Sequence, residues 1–319
     1  MLSSTVGSFA RFLEEAERGD FCQAYVEHYL EPNREIMDSY LRTHVPGGRD
    51  KLEERLRRIG LERYRAAYQK VIDRGLEAKL EGYWRMAQAW LPRPTALVPR
   101  CYLIFGLRTM DGCATNSAHG PAVAIGLETI CDYPEERAEE LLVHEYAHLA
   151  YAGQPRVYQY KCETPSEGAG PGADDAMTIG DGAVDEGLAT LAPLVVKELP
   201  LTEENLRRVL WYTPEQFQRA VDLEGELTQA LLRARKLSLH QHGGPFFFGT
   251  GEPIRENGWP DRCGYYVGAR LILRILGFRG RGFYSELMTM PPSEVLALYE
   301  NLGGHRGREY RGHCRGDLA

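Results

Sequence analysis

The segment HEYAH at residues 144–148 constrains this chain more than any other part of its sequence. The apolar, helix-forming runs LLV and LA flank it and together predict a helix. Residues four apart lie one above the other on a helix, so His144 and His148 can bind the same metal ion. Glu145 would project from an adjacent angle, close enough to hold a water molecule on that ion. The pattern therefore predicts a zinc site that supports hydrolysis.

The residues around this segment set the predicted limits of its helix. Asp132 can act as the N-cap, and Glu135 stands three residues later as its capping-box partner. Gly153 and Pro155 are typical of the residues that follow a helix. We therefore expect a helix over about residues 133–152, with both histidines in its C-terminal half.

The composition is that of a folded protein. Hydrophobic residues make up 43% of the 319 residues, which is enough for a substantial core. The net charge is −7, and no basic stripe runs along the folded part, so we expect no nucleic-acid binding. The chain has no run of about 18 apolar residues, and we therefore expect no membrane span.

The cysteines and the N-terminus indicate a reducing compartment. The seven cysteines are scattered and include no C-x-x-C pair, so we expect reduced thiols rather than disulfides. Residues 1–11 lack a basic region followed by an apolar one, and they predict no secretory signal. Together these features favour a cytoplasmic protein.

Hydrophobic periodicity predicts a mostly helical α+β protein in three parts. Residues 1–92 show apolar positions at helical spacing and are expected to form consecutive helices. Residues 93–302 should form the catalytic domain, in which a small mixed sheet packs on the HEYAH helix and a helical lobe follows. Residues 303–319 carry four arginines among glycines and predict a mobile basic tail.

Two apolar runs predict the strands of the sheet. CYLIFGL at residues 101–107 is continuously apolar and is expected to be buried, and AVAIG follows at residues 122–126. Residues 111–121 between them are small and polar, with the character of a loop. The second strand could form the edge of the sheet and pair with an extended peptide, or it could be purely structural. Its candidate substrate-binding residues are Ala122, Val123, Ala124, Ile125 and Gly126.

A catalytic zinc ion usually takes three protein ligands, so a third must come from elsewhere in the chain. Glu186 is the best candidate, because it stands near the start of an otherwise apolar predicted helix at about 183–197. Gly187 would let that helix pack closely onto the HEYAH helix. The alternative role of Glu186 is a charge favoured by the helix dipole. Other carboxylates also stand in this region: Asp181 as a helix cap, Asp185 on a different face, and Glu163 and Glu167 in a Gly/Asp-rich loop.

Two further residues are candidates for the chemistry. Glu145 is expected to be the general base, which takes a proton from the attacking water and delivers it to the leaving amine. The developing oxyanion needs a donor besides the metal, and a tyrosine at the start of the helix predicted at 265–276 could supply it. We favour Tyr265 over Tyr266. In the alternative interpretation the two rings only pack the start of that helix.

The chain resembles the gluzincin clan of zinc metallopeptidases, and within it the bacterial predicted zinc-dependent proteases. The resemblance rests on VHEYAHL at 143–149, DEGLA at 185–189 and GYYVGARL at 264–271. It implies a zincin-like fold, in which a small mixed sheet packs on the active-site helix and a helical lobe follows.

The resemblance also implies roles for single residues. His144, His148 and Glu186 match the zinc ligands and Glu145 matches the base, as the residues alone already predict. Tyr265 with Gly268 matches the Tyr-x-x-Gly of the related aminopeptidases.

The chain departs from the relatives of this clan at two points. It has no G-x-M-E-N segment, so the resemblance does not imply aminopeptidase activity. Thr190 stands where thermolysin-like enzymes carry an aspartate that orients a histidine. The residues that orient the zinc ligands are therefore unassigned.

The expected function is that of a cytoplasmic hydrolase that cleaves peptide bonds with one zinc ion. Another divalent ion could occupy the same ligands. One alternative is an enzyme that acts on a small-molecule amide or a modified peptide in a biosynthetic pathway. Another is a non-catalytic, metal-stabilised binding or regulatory module. The expected partner is a peptide or peptide-like substrate, and the sequence does not indicate an oligomeric state.

Overall fold

The computed structural model describes residues 1–91, 99–151, 177–249 and 258–303. These residues are mostly helical and include a small mixed sheet, which confirms the predicted α+β class. They fall into two compact units, of which the first comprises Met1–Leu149. The predicted domain boundary at residue 92 and the predicted tail from residue 303 stay predictions, because residues 92–98 and 304–319 lie outside the described ranges.

The sheet belongs to the first unit and, among the described residues, contains four strands. They are β1 (Leu2–Ser4), β2 (Arg100–Ile104), β3 (Gly112–Ser117) and β4 (Gly120–Gly126). Their order across the sheet is β1-β2-β4-β3. Strands β1, β2 and β4 run parallel, and β3 runs antiparallel to β4, to which a tight turn connects it.

The position of β4 contradicts the expectation of an edge strand at Ala122–Gly126. Strand β4 pairs with β2 on one side and with β3 on the other, so neither edge of its backbone is open. Its unbroken apolar sequence is typical of a strand buried on both faces rather than of an edge. Among the described residues the outer strands are β1 and β3, and β3 forms where the sequence predicts a loop.

Two short strands form where the sequence predicts other structure. Residues Leu2–Ser4 lie in the region predicted as helices, but they pair with Cys101–Leu103 as a parallel strand. Residues Gly112–Ser117 lie in the predicted loop, but each has a partner in β4. Backbone pairing with an apolar neighbour stabilises both segments, although neither has strong strand propensity.

Six helices precede β2 and form most of the first unit. They are α1 (Val6–Ala16), α2 (Phe21–Tyr25), α3 (Arg34–His44), α4 (Leu52–Ile59), α5 (Leu61–Asp73) and α6 (Leu76–Trp90). A single π-helical turn at Val26–Leu30 continues α2.

Tyrosines of these helices satisfy the backbone where the chain leaves β2. Tyr25 and Tyr64 donate their hydroxyl protons to the carbonyl oxygens of Phe105 and Gly106, each over 2.9 Å. Tyr40 accepts a hydrogen bond from the backbone nitrogen of Leu107. A buried irregular segment needs such partners, because unpaired backbone groups are costly away from water. The N-terminal helices thus hold the segment that leads to the edge strand.

Glu128 lies in the same region, in the short helix α7 (Leu127–Ile130) that follows β4. Its side chain is 1% exposed, and its Oε1 atom accepts a hydrogen bond from the backbone nitrogen of Arg108 over 3.1 Å. In the described part of the chain its Oε2 atom has no hydrogen-bond partner. Burial raises the pKa of Glu128 from 4.5 to about 7, despite the nearby positive charge of Arg108.

The HEYAH segment lies in helix α8 (Glu135–Ala150). The helix begins two residues later than the predicted residue 133, and Pro134 rather than Asp132 precedes it. The carboxylate of Asp132 accepts a hydrogen bond from Lys70 Nζ over 2.5 Å. The ring of Trp84 packs edge-on against Tyr146 with the centroids 4.9 Å apart, and this contact fixes α8 against α6. The predicted stop residues Gly153 and Pro155 lie outside the described ranges.

The second unit is built on two buried helices, α9 (Ile179–Val196) and α10 (Cys263–Arg279). Thr178 and Asp181 form a capping box at the start of α9. No helix in the described ranges combines the length and the apolar character needed to cross a bilayer.

Helices α9 and α10 cross with their backbones in contact at Gly187 and Gly268. A Cβ atom on Gly187 would lie 2.4 Å from the carbonyl carbon of Gly268, and one on Gly268 would lie 2.0 Å from the carbonyl oxygen of Ala183. The close approach that Gly187 permits is therefore to α10, and not the expected approach to the HEYAH helix. Shorter helices surround this pair: Glu203–Val209, Pro214–Asp222, Glu224–Ala234, Leu239–His242, Gly244–Phe247, Tyr284–Leu287 and Pro292–Asn301.

The raised pKa of Glu128 predicts that stability falls as pH rises. The folded state binds this proton more tightly than the unfolded state, so the contribution is complete below about pH 4.5 and is lost through about pH 7. Glu128→Gln keeps the neutral shape and should remove this loss. We expect the variant to exceed the wild type in free energy of unfolding by up to about 3 kcal/mol at about pH 8, with little difference at about pH 5.

Urea unfolding at the two pH values measures this difference. Glu77→Gln, at an exposed position of α6, is the matched control and should leave the pH dependence unchanged. An equal pH dependence in Glu128→Gln and the wild type would contradict the assignment.

Candidate metal centre

Helix α8 places two imidazole nitrogens side by side. The Nε2 atoms of His144 and His148 lie 3.2 Å apart, and the ring centroids lie 4.8 Å apart with the planes nearly perpendicular. The spacing of four residues produces this arrangement, because it brings one ring directly above the other on the same face of the helix. His148 is 2% exposed, whereas His144 is half-buried.

The separation of the two nitrogens fits a shared metal ion. Two zinc ligands at about 2.0–2.1 Å from a tetrahedral ion lie about 3.3 Å from each other. The 3.2 Å between the Nε2 atoms is close to that value, and both nitrogens stand on the same side of the helix. The pair therefore has the spacing of two ligands of one ion.

Glu186 of α9 is the third residue of the group. One ligand atom from each of His144, His148 and Glu186 lies within 4.8 Å of the other two. The carboxylate belongs to a residue that is 8% exposed. Two imidazoles and one carboxylate are a donor set that zinc takes in catalytic sites, where a fourth position is left for water. The group could hold a divalent metal ion.

The alternative carboxylates differ from Glu186. The N-cap of α9 is Thr178 rather than the expected Asp181, which is the third residue of the helix and completes the capping box: its carboxylate accepts from Thr178 N, and its backbone nitrogen donates to Thr178 Oγ1. Asp185 is buried but is not part of the three-residue group. Glu163 and Glu167 lie outside the described residues. Among the described candidates, Glu186 is thus the one that joins the two histidines.

Glu145 lies between the two histidines along α8 and is 8% exposed. It is not one of the three grouped residues, so its carboxylate is available for a different role. Its Cγ atom lies close to the edge strand, 3.1 Å from where a Cβ atom of Gly112 would be. Strand β3, which the sequence predicts as a loop, therefore borders the candidate base. Gly120 supplies the positive φ at the turn between β3 and β4. A glycine at this position is the sequence signal that favours a hairpin here.

The two candidate tyrosines lie next to each other in α10 but have different surroundings. Tyr266 is fully buried and donates its hydroxyl proton to Glu224 Oε2 over 2.8 Å, and burial raises its pKa. Tyr265 is half-buried, with the guanidinium of Arg262 5.6 Å from its ring centroid. Tyr265 also stands one turn before Gly268, whose contact partner Gly187 directly follows Glu186. The hydroxyl of Tyr266 is thus engaged with Glu224, and Tyr265 stays the donor that the sequence predicts.

The candidate substrate-binding residues of β4 do not form an accessible surface. The side chains of Ala122, Val123, Ala124 and Ile125 are at most 1% exposed, and Gly126 is also buried. Because both neighbours of the strand are occupied, no peptide backbone can pair with it. The expected contact of these five residues with a peptide through an open edge is therefore wrong.

We compared the chain with protein-family models, with curated proteins and with solved structures, and none of these comparisons found a match. The resemblance to gluzincins rests on the three sequence segments alone and stays a prediction.

The grouping of Glu186 with the histidines predicts its effect on metal binding. After dialysis against zinc, the wild type should retain one ion per chain, and Glu186→Ala should bind it more than about 100-fold more weakly, since it loses one of three ligands. Metal analysis and a competition titration with a chromophoric chelator measure both quantities.

The control for this experiment is Glu294→Ala, which removes an exposed glutamate of the helix Pro292–Asn301 and should leave zinc binding unchanged. Circular dichroism verifies that each variant is folded. Full zinc stoichiometry and affinity in Glu186→Ala would place the third ligand elsewhere.

Proposed function

We propose that this protein is a zinc-dependent hydrolase that cleaves peptide bonds. The observation that carries the proposal is the pair of imidazole nitrogens 3.2 Å apart on α8, with Glu145 between the two residues. Glu186 would complete the ligand set. A purely structural metal site needs no carboxylate at the position of Glu145, whereas hydrolysis needs a group that moves protons there.

A zinc ion bound by these residues would activate a water molecule and polarise the carbonyl of the substrate. Glu145 accepts the proton of that water during the attack and returns it to the leaving amine. Its buried position favours this role, because electrostatic interactions strengthen when bulk water is excluded. The two histidines and Glu186 serve as ligands and do not transfer protons.

Tyr265 is the proposed donor to the oxyanion that forms during the attack. A phenol that donates a hydrogen bond to a developing negative charge lowers the barrier more than it stabilises the substrate. The neighbouring Tyr266 is unsuited to this task, because its hydroxyl already donates to Glu224. The half-buried ring of Tyr265 leaves part of the side chain accessible.

Strand β3 supports a peptide rather than another amide as the substrate. Among the described strands β3 pairs with β4 alone, so it is an outer strand of the sheet, the position at which extended peptides add to other sheets. The strand begins at Gly112, beside Glu145, which would bring a paired backbone next to the base. The sequence predicts this pairing with a peptide for β4. Because β4 lies inside the sheet, we assign the pairing to β3 instead.

A cytoplasmic location is part of the proposal. No disulfide joins the five cysteines within the described ranges, which are Cys22, Cys101, Cys113, Cys131 and Cys263. Cysteines that remain thiols are typical of reducing compartments.

Glu145→Gln tests the role of the base. The variant should bind zinc with the affinity of the wild type, since the three ligands remain, but it should hydrolyse a peptide library at least about 100-fold more slowly. Zinc content and hydrolysis are measured on the same samples by metal analysis and mass spectrometry.

In this experiment the result for the wild type distinguishes the proposed peptidase from the two alternatives, the small-molecule enzyme and the binding module. Zinc bound without turnover of any peptide, in the wild type as in the variant, would rule out the peptidase. If only non-peptide amides were hydrolysed, the small-molecule enzyme would replace it, and hydrolysis of none would favour the binding module.

Tyr265→Phe and Tyr266→Phe form a matched pair of substitutions on adjacent residues. We expect Tyr265→Phe to retain zinc and stability but to lower kcat by about 100-fold, because the oxyanion loses one donor. We expect Tyr266→Phe to lower the free energy of unfolding by about 1–3 kcal/mol, because Glu224 loses a hydrogen bond.

Urea unfolding and steady-state kinetics separate the two effects. An unchanged kcat in Tyr265→Phe would remove this residue from the mechanism, whereas a selective loss of kcat in Tyr266→Phe would reverse the assignment.

A further inference from the structure

Gly112 is the first residue of the edge strand β3, and it lies against α8 beside Glu145. A Cβ atom on Gly112 would lie 3.1 Å from Glu145 Cγ and also 3.1 Å from the Cγ and Cδ1 atoms of Leu141. Carbon atoms that are not bonded normally approach to about 3.5–4.0 Å. A side chain at position 112 would therefore require its neighbours on α8 to shift by a few tenths of an ångström.

The strand side of this contact is held from several directions. The carbonyl oxygen of Asp111 accepts a hydrogen bond from the backbone nitrogen of Gly126 over 2.9 Å. The carboxylate of Asp111 accepts from Tyr133 Oη over 3.1 Å and from the backbone nitrogen of Gly112 over 2.9 Å. Tyr133 precedes α8 in the chain, so these bonds join the start of β3 to β4 and to the approach to the helix.

The helix side is held as well. Trp84 packs against Tyr146, which follows Glu145 directly, and both rings are buried. Leu141 is 2% exposed and has little room to move. A side chain at position 112 would therefore displace the part that yields most easily, which is the long, unbranched side chain of Glu145.

The backbone of Gly112 does not itself require glycine. Its φ lies outside the left-handed region, in contrast to Gly120, whose φ is 103°. Alanine is the more favourable residue within a strand, since it loses less conformational entropy on folding. What glycine provides at this position is the absence of a Cβ atom next to Glu145.

We infer that Gly112 is a positioning residue, which allows the carboxylate of Glu145 to take the place from which it accepts a proton. This inference rests on the proposed role of Glu145 as the base. In this role Gly112 is not a metal ligand, and it acts through the side chain of Glu145. The metal ligands His144, His148 and Glu186 should be unaffected by a methyl group at position 112.

Gly112→Ala tests the inference with three measurements on the purified full chain. Crystal structures of the wild type and the variant should show the Glu145 side chain in different torsion angles. Zinc affinity should stay within about twofold, because no ligand moves. The kcat for peptide hydrolysis should fall by about tenfold, since catalysis is sensitive to small displacements of a catalytic group.

Two further variants separate positioning from packing. Gly82→Ala in α6 is the control, because a Cβ atom there would meet nothing within 4 Å, and it should change none of the three quantities. Gly112→Ala combined with Leu141→Ala relieves the contact with Leu141 but keeps the one with Glu145. We expect this double variant not to regain kcat.

Three results would overturn the inference: an unmoved Glu145 in Gly112→Ala, a loss of zinc together with turnover, or recovery of kcat in the double variant. Failure of the proposed function is distinguishable from these results. A wild type that binds zinc but hydrolyses no peptide would remove the peptidase, whereas the torsion angles of Glu145 would still decide whether Gly112 positions it.

Discussion

Burial of ionisable side chains is the constraint on which the rest of this structure depends. Glu139, Glu140, Glu145 and His148 all lie on α8 and are at most 8% exposed. Such groups cost free energy in an interior unless they are paired, hydrogen-bonded or bound to a metal. A helix with this sequence is stable only in surroundings that supply those partners. A divalent ion at His144, His148 and Glu186 would be one such partner, and its binding energy would add to the free energy of unfolding.

Glycines provide the close approaches in both units, but for different elements. In the first unit Gly112 lets an edge strand lie against α8 at Glu145. In the second unit Gly187 and Gly268 let α9 and α10 cross in backbone contact, directly after Glu186 and one turn after Tyr265. Each of these contacts lies close to a residue with a proposed role. A methyl group on the glycine would obstruct the contact. Rigid elements thus hold the candidate residues more firmly than loops could.

The sequence predicts the helices that carry the candidate site residues better than it predicts the short strands of the sheet. The α+β class, the helix of HEYAH and the helix of Glu186 follow from periods and capping signals that are local in the chain. The edge strand does not, because Gly112–Ser117 carries small and polar residues without alternation, and the pairing with β4 stabilises it. The same holds for Leu2–Ser4, whose partner strand lies about a hundred residues away in sequence. Contacts of that kind depend on tertiary structure, which no local pattern encodes.

The outer position of β3, which the sequence predicts for β4, affects which residues could meet a substrate as well as the topology of the sheet. An apolar run such as Ala122–Gly126 is stable inside a sheet because both of its faces are covered, and this same property prevents it from meeting a substrate. An edge strand must tolerate solvent on one side of its backbone, and small polar residues suit that position. The residues that resemble a loop in the sequence therefore form an outer strand among the described strands of the sheet. Gly112 at the start of this strand lies close to Glu145, because glycine brings no Cβ atom to the contact.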